Sequence, residues 1–178
     1  MKIANLIDED FVNYKKAAMF IATPYCDFKC NRECGKDVCQ NMELAKSQPI
    51  EMRIEDIIAR YVNNPITSSI VFGGLEPFYS GCKTDPMICC TDDIGVFMFT
   101  LRDQFSCNDD VVFYSGYTEE ELEKAGLLEW LTSYGNVVIK FGRFLPNQES
   151  HYDEVLGVQL ASKNQYAKFY ADKADLKA

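Results

Sequence analysis

A single α/β domain with a mostly parallel sheet, arranged as a partial (open) β/α barrel, is the fold class this sequence predicts. Three observations predict it. Four short apolar runs rich in β-branched and aromatic residues recur along the chain. Segments of helical period separate them. At 178 residues the chain is too short for a complete eight-fold barrel, which takes about 250.

The runs Ala17–Ala22, Ser69–Phe72, Asp110–Tyr114 and Val137–Phe141 are bounded by turn formers, as buried strands are. A stripe of Ile54, Ile57, Ile58, Tyr61 and Val62 marks the first helix, with Pro65 just past its end. Ile94, Phe97, Met98 and Leu101 mark a second, with Thr91 or Asp92 as N-cap. A third opens at Thr118, where Glu121 three residues on completes a capping box, and Gly126 ends it before a short helical turn over 127–134. Right-handed crossovers between such strands give a parallel sheet, and ligands collect at the carboxyl ends of its strands. No internal repeat or linker interrupts the chain, so one domain spans 1–178, and residues 171–178 form a helical or frayed tail.

Composition narrows the function classes. An apolar fraction of 47% with 25% charged residues is that of a globular protein. A net charge of −9, from 27 acids against 18 bases, repels phosphate backbones and argues against nucleic-acid binding. A single histidine, His151, removes multi-histidine zinc sites and most routes to a Ser-His-Asp triad. The acidic first ten residues lack the apolar stretch of a secretory leader, and no apolar run approaches the ~20 residues of a membrane helix. The expectation is a cytoplasmic protein whose thiols stay reduced.

Eight cysteines then stand out. Four of them, Cys26, Cys30, Cys34 and Cys39, fall within the loop 23–41 directly after the first strand. Clustered thiolates choose iron–sulfur clusters, zinc or copper(I). Zinc knuckles are usually separated by about 12–20 residues, whereas three separate Cys30 from Cys34. A single loop wrapping a cubane cluster suits the spacing better, and buried free thiols suit so charged a loop poorly. Gly73-Gly74-Leu75-Glu76-Pro77 follows the second strand, Ser115-Gly116-Tyr117 the third, and Gly142-Arg143-Phe144 the fourth. Cys82, Cys89, Cys90 and Cys107 carry no ligand-like repeat and are read as free thiols rather than a second cluster. Glu119, Glu120, Glu121 and Glu123 are read as a solvated helix face, and Trp130 as core.

In this order the residues resemble the radical S-adenosylmethionine superfamily, and within it the small activating proteins of anaerobic ribonucleotide reductase. The resemblance is carried by Cys26-x3-Cys30, Cys39-Gln40-Asn41, Gly73-Gly74-Leu75-Glu76-Pro77, Tyr114-Ser115-Gly116-Tyr117, Phe141-Gly142-Arg143-Phe144 and Ala161-Ser162-Lys163-Asn164-Gln165, and runs from about Ala17 to Gln165. Departures are the cysteine spacing, the extra Leu75, Phe141 in place of the family's Asp and Ala161 in place of its Gly.

The resemblance implies an oxidoreductase holding a [4Fe-4S] cluster on Cys26, Cys30 and Cys39, with Cys34 as the alternative third ligand. The iron left open would be chelated by S-adenosyl-L-methionine. Gly73, Gly74 and Glu76 would line the pocket for its ammonium group, and Ser115 and Tyr117 would border its methionine or ribose moiety. Reductive cleavage would release a 5′-deoxyadenosyl radical. The implied partners are a glycyl radical enzyme, an anaerobic ribonucleotide reductase that gains its glycyl radical, and an electron donor such as flavodoxin or ferredoxin. The alternatives are a non-catalytic iron–sulfur electron-transfer module, a zinc-binding module, or a radical enzyme acting on a small molecule.

Overall fold

The computed structural model describes residues 1–79 and 86–171, the side chains of 86–91 excepted. Cys82 and the side chains of Cys89 and Cys90 lie outside the described residues, as does the tail beyond residue 171. The elements run β1 (Lys2–Ile3), β2 (Asn5–Asp10), β3 (Ala18–Thr23), α1 (Lys29–Cys34), β4 (Ile50–Glu51), α2 (Ile54–Val62), β5 (Ser69–Gly74) and α3 (Pro86–Phe99). Then follow β6 (Asp110–Tyr114), α4 (Glu119–Lys124), α5 (Leu127–Thr132), β7 (Val137–Phe141), β8 (His151–Asp153), β9 (Val158–Leu160) and β10 (Tyr166–Tyr170).

The four expected strands are β3, β5, β6 and β7, and they lie side by side in parallel register. Two strands the sequence did not announce flank them. β2 pairs with β3 and β10 with β7, both antiparallel, giving a six-stranded mixed sheet in the order β10-β7-β6-β5-β3-β2. The sheet is thus mostly parallel, as expected, with an antiparallel strand added at each edge. The short pairs β1–β4 and β8–β9 stand apart from this sheet.

Alternation along each central strand sorts side chains onto two faces. Met19, Ile21, Ile70, Phe72, Val111, Phe113, Ile139 and Phe141 point to the face that α2, α3, α4 and α5 cover with Ile57, Phe97, Leu122 and Leu131. Phe72 meets Phe97 edge-on at 5.0 Å and stacks on Phe113 at 5.1 Å; each such pair adds about 0.5–1.5 kcal/mol beyond the area it buries. Ala18, Val71, Val112 and Val138 point to the opposite face, where Tyr14, Leu156 and Leu160 close over them. That second cover comes from the loop after β2 and the β8–β9 hairpin. The two are tied by the Lys15 N–H, which donates to the Leu156 carbonyl at 2.7 Å.

Thr118 caps α4 as expected, its Oγ1 accepting from the Glu121 N–H at 3.3 Å while the Glu121 carboxylate accepts from the Thr118 N–H at 2.9 Å. Gly126, expected to end that helix, adopts φ 70° at the junction with α5. Trp130 is half-buried rather than central, packing edge-on against Tyr134 at 5.7 Å. Cys107 is a free thiol beside Asp109, 3.5 Å from its Oδ2. Among the described residues no helix is long and apolar enough to cross a membrane.

Candidate functional site

Because β3, β5, β6 and β7 run parallel, their carboxyl ends share one rim, and a cleft of about 400 Å³ opens there. Cys26, Cys30, Cys39, Gly74, Glu76, Ser115 and Tyr117 line it together. Cys34 does not: it closes the last turn of α1, outside the lining. Gly73 lies just behind the wall. Its carbonyl accepts from Thr23 Oγ1 at 2.9 Å, and a Cβ there would stand 3.1 Å from the Phe20 ring. His151 sits in β8, outside the cleft lining.

The cysteine loop is held by polar groups of its own. Phe28 takes up left-handed backbone, φ 51°, to start α1, and its N–H donates to Cys26 Sγ at 3.3 Å. Asn31 Oδ1 accepts from the Val38 and Cys39 N–H groups at 3.0 and 2.9 Å, which folds the loop back and brings Cys39 beside Cys30. Asn41 Nδ2 donates to the Gly74 carbonyl, joining the Cys39-Gln40-Asn41 segment to the glycine turn after β5. Gly74 adopts φ 82°, left-handed backbone that strains any residue with a Cβ, and a Cβ there would also press on the Leu44 side chain. Burial pushes the Cys26 thiol up to about 12, against the Phe28 N–H that favours its thiolate, and raises Cys30, aided by neighbouring Cys39. A soft metal ion would displace these protons on binding.

Glu76 is buried at the junction of β5 and β6. It accepts from the Gly116 N–H at 2.7 Å, from Ser115 Oγ at 3.0 Å and from the Phe78 N–H at 3.2 Å. Burial raises its carboxyl to about 7 against the pull of those donors and of Lys140. Lys140 is itself buried in the cleft wall, donating to the Gly142 carbonyl at 2.6 Å and the Ser115 carbonyl at 3.3 Å. Burial lowers its ammonium to about 8, which Glu76 opposes.

Sequence reasoning missed Lys140 because a lysine within Val-Val-Ile-Lys-Phe passes for a strand residue facing solvent. Phe141 turns into the helix-side core, and Lys140 takes the cleft-facing position beside it.

An ion-pair strap was missed as well. Glu121 receives Lys29 from α1 and Arg143 from the loop after β7, and Arg143 also reaches Glu33 at 3.6 Å. Burial disfavours the Glu121 charge, but Arg143, Lys29 and the Thr118 N–H outweigh it and hold the carboxyl at about 2. Glu119 is paired too, with Lys168 at 2.6 Å and the Tyr166 and Tyr170 hydroxyls. The acidic face expected to be merely solvated is, at these two positions, an anchoring surface. The Ser162-Lys163-Asn164-Gln165 segment braces the same loop: Gln165 Nε2 donates to the Gly142 carbonyl at 3.2 Å and Asn164 Nδ2 to the Arg143 carbonyl at 2.9 Å.

Among the described residues, no group of three or more His, Cys, Asp or Glu side chains converges as ligands of one metal ion. A tetrahedral ion with bonds of about 2.3 Å needs its sulfurs nearly touching, whereas a cubane presents separate corners to a wrapping loop. Comparison with protein-family models, with curated proteins and with solved structures finds no match.

Proposed function

We propose that this chain is a radical S-adenosylmethionine activase that generates a glycyl radical on a partner enzyme of the anaerobic ribonucleotide reductase class. Support comes chiefly from one convergence: Cys26, Cys30 and Cys39 share a single cleft with Gly74, Glu76, Ser115 and Tyr117 while Cys34 stands outside it. The mixed sheet is, on this proposal, the partial barrel of that superfamily.

The residues present fit a [4Fe-4S] cluster, because three sulfurs rather than four border the cleft and leave room for a ligand among the strand ends. Cys26, Cys30 and Cys39 would hold it, and when bound it supplies the low-potential electron for cleaving S-adenosylmethionine. The chain's own groups orient the ligand. Glu76, already the acceptor of three hydrogen bonds, keeps lone-pair capacity for an ammonium group. Ser115 fixes Glu76 and accepts the Tyr117 N–H at 3.0 Å, so the Ser115-Gly116-Tyr117 turn and the carboxylate hold one another in place. Lys29 and Arg143, on Glu121, keep the cysteine loop against the strand ends.

The test is anaerobic reconstitution of the full chain with iron and sulfide, reduction with dithionite, and assay of 5′-deoxyadenosine and methionine after adding S-adenosylmethionine. Both products are expected in equal amounts. A bound cluster without either product assigns the chain to electron transfer, and zinc in place of iron assigns it to a structural metal module. Mixing with an anaerobic ribonucleotide reductase should then produce a glycyl radical signal by electron paramagnetic resonance.

A further inference from the structure

A second hollow, of about 160 Å³, lies on the helix side of the same strand ends and shares no lining residue with the cleft. Phe72 and Ile94, both part of the helix-side core, close it from below. Pro24 and Tyr25 from the turn after β3, and Pro77 and Tyr79 from the turn after β5, complete its apolar lining. Two observations bear on what it receives. Its volume is close to the roughly 150 Å³ in which an apolar cavity holds one benzene-sized group, and rings or a thioether sulfur pack well against aromatic faces. Lys2 from β1 and Asp93 from α3, both exposed, stand on the same rim, and among the described residues they form no ion pair with one another.

Opposite charges on one rim narrow the ligand. A lone anion would answer Lys2 and be repelled by Asp93, and a lone cation the reverse. A molecule with adjacent ammonium and carboxylate groups answers both. A free α-amino acid carries those two charges on one carbon, whereas a peptide spends them on amide bonds. We infer that this hollow is a binding site for a free α-amino acid with a large apolar side chain. Its carboxylate meets Lys2, its ammonium meets Asp93, and its side chain lies among the tyrosines and prolines. A charged side chain would be stripped of water against Phe72 with no partner there, so it is rejected. The site stands independently of any reaction in the cleft, yet one partition separates the two. The Glu76 N–H donates to the Tyr25 carbonyl at 2.9 Å, joining the turns that carry Tyr25 and Pro77, and Cys26 and Glu76 line the far side. Occupancy of the hollow therefore registers at the Glu76 amide.

The probes are L-phenylalanine and L-methionine, each titrated into the isotope-labelled full chain and followed by amide chemical shifts. Saturable shifts at Tyr25, Glu76 and Ile94 are expected, with an affinity of about 1 mM for a ligand of this size. Such shifts from either one support the site and name the side chain it prefers. 3-Phenylpropionate lacks the ammonium and phenethylamine the carboxylate, so each should bind at least about threefold more weakly than L-phenylalanine. L-Glutamate should give no saturable shift. Lys2→Gln and Asp93→Asn, changes at exposed positions, should each weaken binding about threefold to fivefold. No saturable shift with either probe, saturation by L-glutamate, parent-like affinity for either single-charge analogue, or unchanged affinity in either variant would each overturn the inference. The analogue series uses the unaltered chain, so it decides even where a variant misfolds. Neither cluster nor S-adenosylmethionine is present in the titration, so its failure leaves the proposed activase untouched.

Discussion

Both carboxylate oxygens of Glu121 lie 2.6 Å from Nη2 of Arg143, so a residue that caps a helix also seizes the loop beyond β7. Lys29 joins the same carboxylate from the first turn of α1. Three segments far apart in the chain are thereby fixed around one charge, and the cysteine loop is one of them.

Glu121→Gln should destabilise the chain at neutral pH by about 1–2 kcal/mol, the range for a charge-assisted hydrogen bond at a partly solvated site. The pH dependence follows from sign. Glu121 titrates near 2 when folded, below its ordinary 4.5, so its stabilisation is complete above pH 4.5 and is lost as pH falls toward 2. Urea unfolding measured across that window should show a shallower acid slope in the variant than in the parent. An unchanged slope would mean the strap carries no stability.

Cys39→Ala should abolish iron retention after anaerobic reconstitution, while Cys34→Ala should keep it. Iron and acid-labile sulfide per chain are the readings. The reverse pattern would move the third ligand to Cys34 and require the loop to refold around it.

Asn31→Ala removes the acceptor shared by the Val38 and Cys39 N–H groups. Freed of that clamp, residues 37–39 should become the first site of limited proteolysis in the unloaded chain, and iron should leave the loaded chain faster to a chelator. Parent-like cleavage would show that the clamp is dispensable.

Gly142→Ala and Gly126→Ala form a matched pair. Both glycines have positive φ, 94° and 70°, but a Cβ at 142 would meet the Asn164 carbonyl oxygen at 2.9 Å while nothing lies within 4 Å of one at 126. The first should cost roughly 2–4 kcal/mol and the second about 1 kcal/mol, the penalty of left-handed backbone alone. Midpoints of thermal or urea unfolding compare them directly.

What the residues disclosed in advance divides along physical lines. Strands β3, β5, β6 and β7 are buried on both faces, so they appear as largely apolar runs, with Lys140 the charged residue inside β7. β2 spells Asn-Leu-Ile-Asp-Glu-Asp, an edge strand with solvent on one side, and its acids mask it. β8 and β9 have three residues each, too few for any period to register. At the site, cysteines and glycines announce themselves by type and spacing. Asn31 meets Val38 7 residues on, Glu121 meets Arg143 22 residues on and Lys140 meets Ser115 25 residues back, and such pairings leave no local trace.

The outermost strand β2 carries Asp8, Glu9 and Asp10, and its register with β3 slips between Ile7 and Asp10. Asp10 is buried and Asp8 is paired with Arg60, so a neighbouring molecule trying to extend the sheet there would meet the exposed Glu9 carboxylate along a ladder already out of step. Lateral growth into fibrils from this border is thus opposed twice, by charge and by geometry. Replacing Glu9 with glutamine would remove only the first of those barriers.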